Sequence, residues 1–220
     1  MNAIAAQLHS NPAAGSHRSA QSPLAGQVAV VVGSGGDSSA AAAALASAGA
    51  AVTLAAPEEP GLPRTARAIR SAGGLALAIP TDVADPRALD RAMEATYEAF
   101  GRLDVAINSP HSVRRRGRVG DSACRAIYLA MRYQLPLLRR SGGGVVVNSA
   151  LSRLEDADCV IGLTRAAALD QADAEVRINS IAYGPGRPED FAAAVLWLCS
   201  NLSLNVNGAA VPVGLRPSLS

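Results

Sequence analysis

Short apolar runs of strand length alternate along this chain with stretches of helical spacing, and this alternation limits the fold more than any other feature. Val28–Val32, Ala51–Ala55, Leu75–Ile79, Val105–Ile107, Gly144–Val147, Val176–Ile181 and Ala209–Val213 read as strands. Most are apolar throughout rather than at every second position, the pattern of strands covered on both faces. Between them, Ala40–Ala48, Arg64–Ser71, Ala126–Leu138, Val160–Leu169 and Phe191–Cys199 read as helices. A further helix repeats its apolar residues at Leu89, Met93, Tyr97 and Phe100 and stops at Gly101. Asp37 is placed to cap the first helix, and Asp85-Pro86 supplies a cap and a first-turn proline for the third. Strand and helix in turn predict an α/β protein with a parallel sheet, whose ligands sit at the carboxyl ends of the strands.

With 220 residues, 49% apolar and 17% charged, the chain can bury one sizeable core. Residues 24–220 are therefore read as a single domain. Residues 1–23 mix Ala, Ser, Asn, Gln and Pro without periodicity and are expected to form a disordered extension. Aromatic residues make up 3%, too few for a base-stacking platform, and a net charge of +2 creates no strong field, so neither nucleic acid nor a membrane is an expected partner. All 20 Lys or Arg positions are Arg, which removes Schiff-base or tunable-amine chemistry altogether. Cys124, Cys159 and Cys199 are odd in number, widely spaced and set in apolar helical contexts, so no disulfide is expected. His9, His17 and His111 lack partners at ligand spacing, and no metal site is predicted. No leader or membrane-length apolar run is evident, which suggests a soluble, cytoplasmic protein.

The segments VAVVVGSGGDSSAAAAALASAGAAV, TDVAD, FGRLDVAIN, GGGVVVNS, IGLTRAAALD, RINSIAYGPG and RPEDFAAAVLWLCS follow one another as in the short-chain dehydrogenase/reductase family. The resemblance spans Leu24 to Val213. It implies a three-layer, doubly wound Rossmann fold with a parallel sheet of about seven strands and a dinucleotide crevice, usually in dimers or tetramers. Against the family's T-G-x-x-x-G-x-G turn, Val32-Gly33-Ser34-Gly35-Gly36-Asp37-Ser38-Ser39 is one residue shorter. Gly33, Ser34, Gly35 and Gly36 are its remnant, and Asp37 at the following helix would compete with a pyrophosphate for the same N–H groups. Asp82, Val83 and Asn108 match family cofactor contacts, while Ala56 and Pro57 stand where a charged residue often reads the ribose.

The family's proton relay is not matched. Counting back from Gly162-Leu163-Thr164, its Tyr falls on Arg153 and its Lys on Ala157; its Ser falls near Ala150 or Leu151, and its Asn on Ala123. The stretch between Asn148 and Cys159 is about ten residues shorter than the resemblance implies, and the substrate lid after Gly186 has shrunk to almost nothing before Arg187-Pro188. His111, Ser149, Ser152 and Tyr183 remain as crevice candidates. Arg114-Arg115-Arg116-Gly117-Arg118 could hold an anion, although such runs are usually solvated. Tyr128 and Arg132 lie four apart on a helix and are read as packing residues.

The leading expectation is a family member without hydride-transfer chemistry, acting as a partner subunit or small-molecule-binding protein. It would pair with itself or with an intact relative through the helices near 126–138 and 160–169. No cofactor is expected, beyond weak NAD or NADP binding. The first alternative is a repurposed, cofactor-independent isomerase, cyclase or dehydratase acting on a small metabolite. The second is an NAD(P)-dependent oxidoreductase with a rebuilt proton donor.

Overall fold

Seven strands form one parallel sheet: β1 (Val28–Val32), β2 (Ala51–Ala56), β3 (Leu75–Pro80), β4 (Val105–Asn108), β5 (Gly144–Leu151), β6 (Val176–Tyr183) and β7 (Ala210–Val213). Their order is β3-β2-β1-β4-β5-β6-β7, so the winding reverses between β1 and β4. The computed structural model describes residues 22–110, 123–151, 157–184 and 186–214. Among these, the helices are α1 (Gly36–Ser47), α2 (Gly61–Ser71), α3 (Pro86–Phe100), α4 (Ala123–Arg140), α5 (Ala157–Asp170) and α6 (Pro188–Cys199). No helix of the described residues is long and apolar enough to cross a membrane.

Strand residues divide alternately between two cores. Ala29, Val31, Val145 and Val147 pack with Ala41, Ala42, Leu45, Phe191 and Val195 of α1 and α6. Val30, Val32, Ala106 and Val146 pack on the other face with Leu89, Met93, Ile127, Met131 and Val160 of α3, α4 and α5. Each strand is thus covered on both sides, the arrangement its unbroken apolar sequence requires. At the opposite edge from the crevice, Asp104 accepts a hydrogen bond from the Val28 N–H at 2.8 Å and pairs with Arg102 at 2.6 Å, tying the starts of β1 and β4. The carboxylate also raises the pKa of the Arg102 guanidinium, by hydrogen bonding first and charge second.

Every expected strand is present. Three helices begin three or four residues before their expected starts, at Gly36, Gly61 and Pro188, and α4 and α5 already include Ala123 and Ala157, the first described residues of their segments. A first turn is too short to show in the periodicity, even where it buries a residue such as Leu62. One consequence corrects the sequence reading of Asp37. Gly35 is the N-cap of α1, and Asp37 lies inside the first turn as its acidic residue. The Asp85 cap is found as expected, its Oδ1 accepting from the Arg87 N–H at 2.9 Å with Pro86 opening the helix.

A second correction concerns the cysteines. Cys124 and Cys159 form a disulfide, with Cα atoms 6.0 Å apart and a sequence separation of 35. Their wide spacing argued against a pair, but the first turns of α4 and α5 lie side by side at the ends of β4 and β5. Cys199 is a buried free thiol.

Candidate functional site

The carboxyl ends of β1, β4, β5 and β6 form the floor of the crevice. Strand register fixes which residues meet there: Val32 pairs with Asn108, Asn108 with Asn148, and Leu151 with Tyr183. From Val32 the chain turns into α1 through Gly33, Ser34 and Gly35. Gly33 has φ of +119°, and a Cβ there would overlap the Ser109 carbonyl oxygen. This glycine lets the turn lie against the strand end at the winding switch. Gly35 has φ of +111° and nothing within 4 Å of a Cβ position, so its surroundings are open. A Cβ on Gly36 would sit 3.3 Å from Cγ of Pro188, which leans the first turn of α6 on that of α1. Ser38 is buried, its Oγ within 3.4 Å of the Ser34 carbonyl and 3.5 Å of the Ser109 carbonyl.

Asn108 is fully buried and belongs to a chain of amides. Its Nδ2 donates to Gln134 Oε1 and Asn148 Oδ1, each at 3.0 Å, and its Oδ1 accepts from Gln134 Nε2 at 2.8 Å. Asn148 Nδ2 donates to Thr164 Oγ1 at 3.0 Å, and Thr164 donates to the Val160 carbonyl at 2.8 Å. The network couples β4 and β5 to α4 and α5 beneath the crevice, and it occupies Asn108 with protein rather than ligand. Sequence reasoning missed Gln134, Asn148 and Thr164. Their signal was a Gln on an otherwise apolar helix stripe and an Asn on each of two strands that pair.

Asp82 is exposed beyond β3, its Oδ1 accepting from the Ala84 N–H at 3.0 Å, whereas Val83 is buried against the α3 side. Ala56 is buried at the end of β2, and neither it nor Pro57 offers a group for a ribose. Ser149 and Tyr183 are both buried. By strand alternation Ser149 faces the α1 and α6 layer, and the Tyr183 ring meets Phe191 edge-on at 5.5 Å and 62°. Both lie near the carboxyl ends of their strands, on the face of the sheet opposite Thr164. Tyr128 is exposed on α4, 53% of its surface open. His111, Ser152, Arg153 and the arginine run 114–118 lie outside the described residues.

Two of the relay positions are described with their side chains. Ala123, buried, opens α4, and Ala157, half-buried, opens α5. The disulfide lies next to both, joining the residue after Ala123 to the second residue after Ala157. Leu151 ends β5. β6 stops at Tyr183 and α6 starts at Pro188, so no room exists for a long lid between them.

A doubly wound parallel sheet with a glycine turn at its switch point defines the class: an α/β protein with a dinucleotide-type crevice. The family model described as enoyl-(acyl carrier protein) reductase matches residues 36–187. The chain belongs to that family of short-chain dehydrogenases and reductases. Cyclohexanol dehydrogenase of Acinetobacter sp. (strain SE19) is 29% identical over 62% of this chain and 72% of its own. The short chain dehydrogenase/reductase astE of Aspergillus oryzae is 28% identical, over 89% of this chain and 96% of its own. A short chain dehydrogenase from Mycobacterium smegmatis superposes with a TM-score of 0.79 at 26% identity, covering 90% of this chain and 95% of that one. The alignment with the A. oryzae protein runs to 252 positions against a chain of 220 residues, so at least 32 positions have no counterpart here.

These relatives bear on the expected absence of a cofactor. They carry the names of dehydrogenases and reductases, and a dehydrogenase needs an electron acceptor, which argues for a retained nucleotide crevice rather than none. The residues divide on that point. At the phosphate end the geometry fits: Gly35 is open, and the first helical bond of α1 runs from the Ser39 N–H to the Gly35 carbonyl. At the reacting end, the described residues Ala123 and Ala157 carry no titratable side chain.

Proposed function

We propose that this protein keeps the nucleotide crevice of the short-chain dehydrogenases and reductases but does not run their proton relay, and that it acts as a non-redox partner subunit or small-molecule-binding protein. One observation carries this reading: the chain has no lysine, and Ala123 and Ala157 stand where the resemblance would put the family's Asn and Lys. A methyl group holds no proton, and an arginine cannot be tuned to the working pH as an amine can. Gly35 and the N–H groups of Gly36, Asp37 and Ser38 would hold the phosphates of a dinucleotide. Asp82 would face its adenine end. A nicotinamide dinucleotide would supply hydride chemistry, and nothing described at the strand ends would deliver the matching proton.

Calorimetric titration with NADH and NADPH tests the crevice. The expected result is measurable binding that weakens several-fold in Gly35→Asp, whose carboxylate would repel the phosphates. No heat with either nucleotide would remove the retained crevice. Pairing through α4 and α5 is supported by the exposed Tyr128 on α4 and by Leu169, 80% exposed at the end of α5. Size-exclusion chromatography with light scattering should give a dimer or larger, and a strict monomer that joins no relative would contradict a subunit role.

The names of the relatives favour a second reading, an oxidoreductase acting on an alcohol or ketone with a donor from residues outside the described ones. His111 and Ser152 are its candidates. A His111→Ala, Ser152→Ala double variant that abolished a measured turnover would establish it.

A further inference from the structure

We infer that the Cys124–Cys159 bridge is a reversible redox site at the crevice wall, which exchanges with small thiols and disulfides while the protein stays folded. The two sulfurs differ in access. Cys124 is buried at 8% exposure, whereas Cys159 is exposed, so an incoming thiolate meets one sulfur of the pair and not the other. The cationic Arg125, next to Cys124 in sequence, favours Cys124 as the leaving thiolate, whereas Asp158, next to Cys159, disfavours a thiolate there.

Opening the bridge does not free the helices from each other. Asn148 still holds both, through Thr164 on α5 at 3.0 Å and the Met131 sulfur on α4 at 3.4 Å. The apolar contacts of Ile127, Met131 and Val160 lie deeper than the sulfurs. A folded dithiol form is therefore available, and the change is confined to the two first turns that carry Ala123 and Ala157.

The exchange balances as two displacements. A thiolate RS⁻ attacks Cys159 Sγ, forming a mixed disulfide and releasing Cys124 as a thiolate, which takes up a proton. A second thiol then displaces Cys159 and leaves as RSSR. In sum, two RSH are oxidised, and the bridge is reduced by two electrons to two thiols. Excess RSSR drives the reverse.

The test uses the full chain in glutathione buffers of varied ratio of reduced to oxidised form, quenched with acid, alkylated and weighed intact. Two thiols should become alkylatable in reduced buffer, and return to the bridge in oxidised buffer, with the circular dichroism unchanged. In Cys124→Ser, oxidised glutathione should add to Cys159 at least about tenfold faster than to Cys199. Cys159→Ser should leave Cys124 slow to react. A bridge that opens only in denaturant would make it a structural staple and overturn the proposal. So would finding both thiols alkylatable in the untreated, air-exposed protein. The wild-type readings stand alone if either variant fails to fold, and neither depends on nucleotide binding.

Discussion

Gly33 and Gly35 have nearly the same φ, yet a methyl group would meet very different surroundings. At Gly33 it collides with the Ser109 backbone; at Gly35 it meets open space. Gly33→Ala should therefore cost about 3 kcal/mol, and Gly35→Ala about 1 kcal/mol, from backbone strain alone. Urea denaturation of the two variants measures the difference, and equal losses would contradict the close approach. In the amide network, Asn148→Leu would strip partners from Asn108 and Thr164 in a dry interior, at a cost of about 3 kcal/mol. Cys199 gives a pH dependence with a definite sign. Burial pushes its thiol up to about 12, with the charge of Arg177 opposing, against an unperturbed value of 9.0. Folding favours the protonated thiol, so its contribution is intact below pH 9 and is lost as pH rises towards 12. Cys199→Ser should flatten the fall in melting temperature over that window. The glycine turn was legible from residue types alone. The amide network was not, because an Asn on a strand reads the same whether it faces a ligand or another Asn.

At the scale of elements, apolar runs located every strand: the inner strands β1, β2 and β4 are buried along their whole length, and the partly buried edge strands β3 and β7 still carry an apolar run. Helix starts were harder. A first turn is too short to show apolar periodicity, even where Leu62 packs into the core, and a local mark such as Asp85-Pro86 is needed to reveal it. That cap should be worth about 1 kcal/mol, so Asp85→Ala is expected to lower stability by that much without disturbing the crevice. The disulfide escaped sequence reading for the same reason. Cys124 and Cys159 lie in two unannounced first turns that come together only when β4 and β5 pair. Spacing along the chain carried no trace of it.

For the whole molecule, the fold and the family were legible from the order of weak motifs, each in its expected place around the sheet. The expected loss of the relay rests on the resemblance alone, by which its positions fall on Ala123, Leu151, Arg153 and Ala157. Hidden from sequence was how the shortened molecule closes. The first turn of α6 leans on the glycine turn through Pro188, and the first turns of α4 and α5 are joined by the bridge. On the proposed reading, a hydride could be carried here but not matched with a proton. The most direct measurement follows the absorbance of NADH or NADPH, mixed with the protein and a panel of small ketones, after calorimetry has fixed a saturating nucleotide concentration. The account predicts bound nucleotide with no loss of absorbance beyond the protein-free control. Ketone-dependent oxidation of the nucleotide in proportion to protein concentration would contradict it.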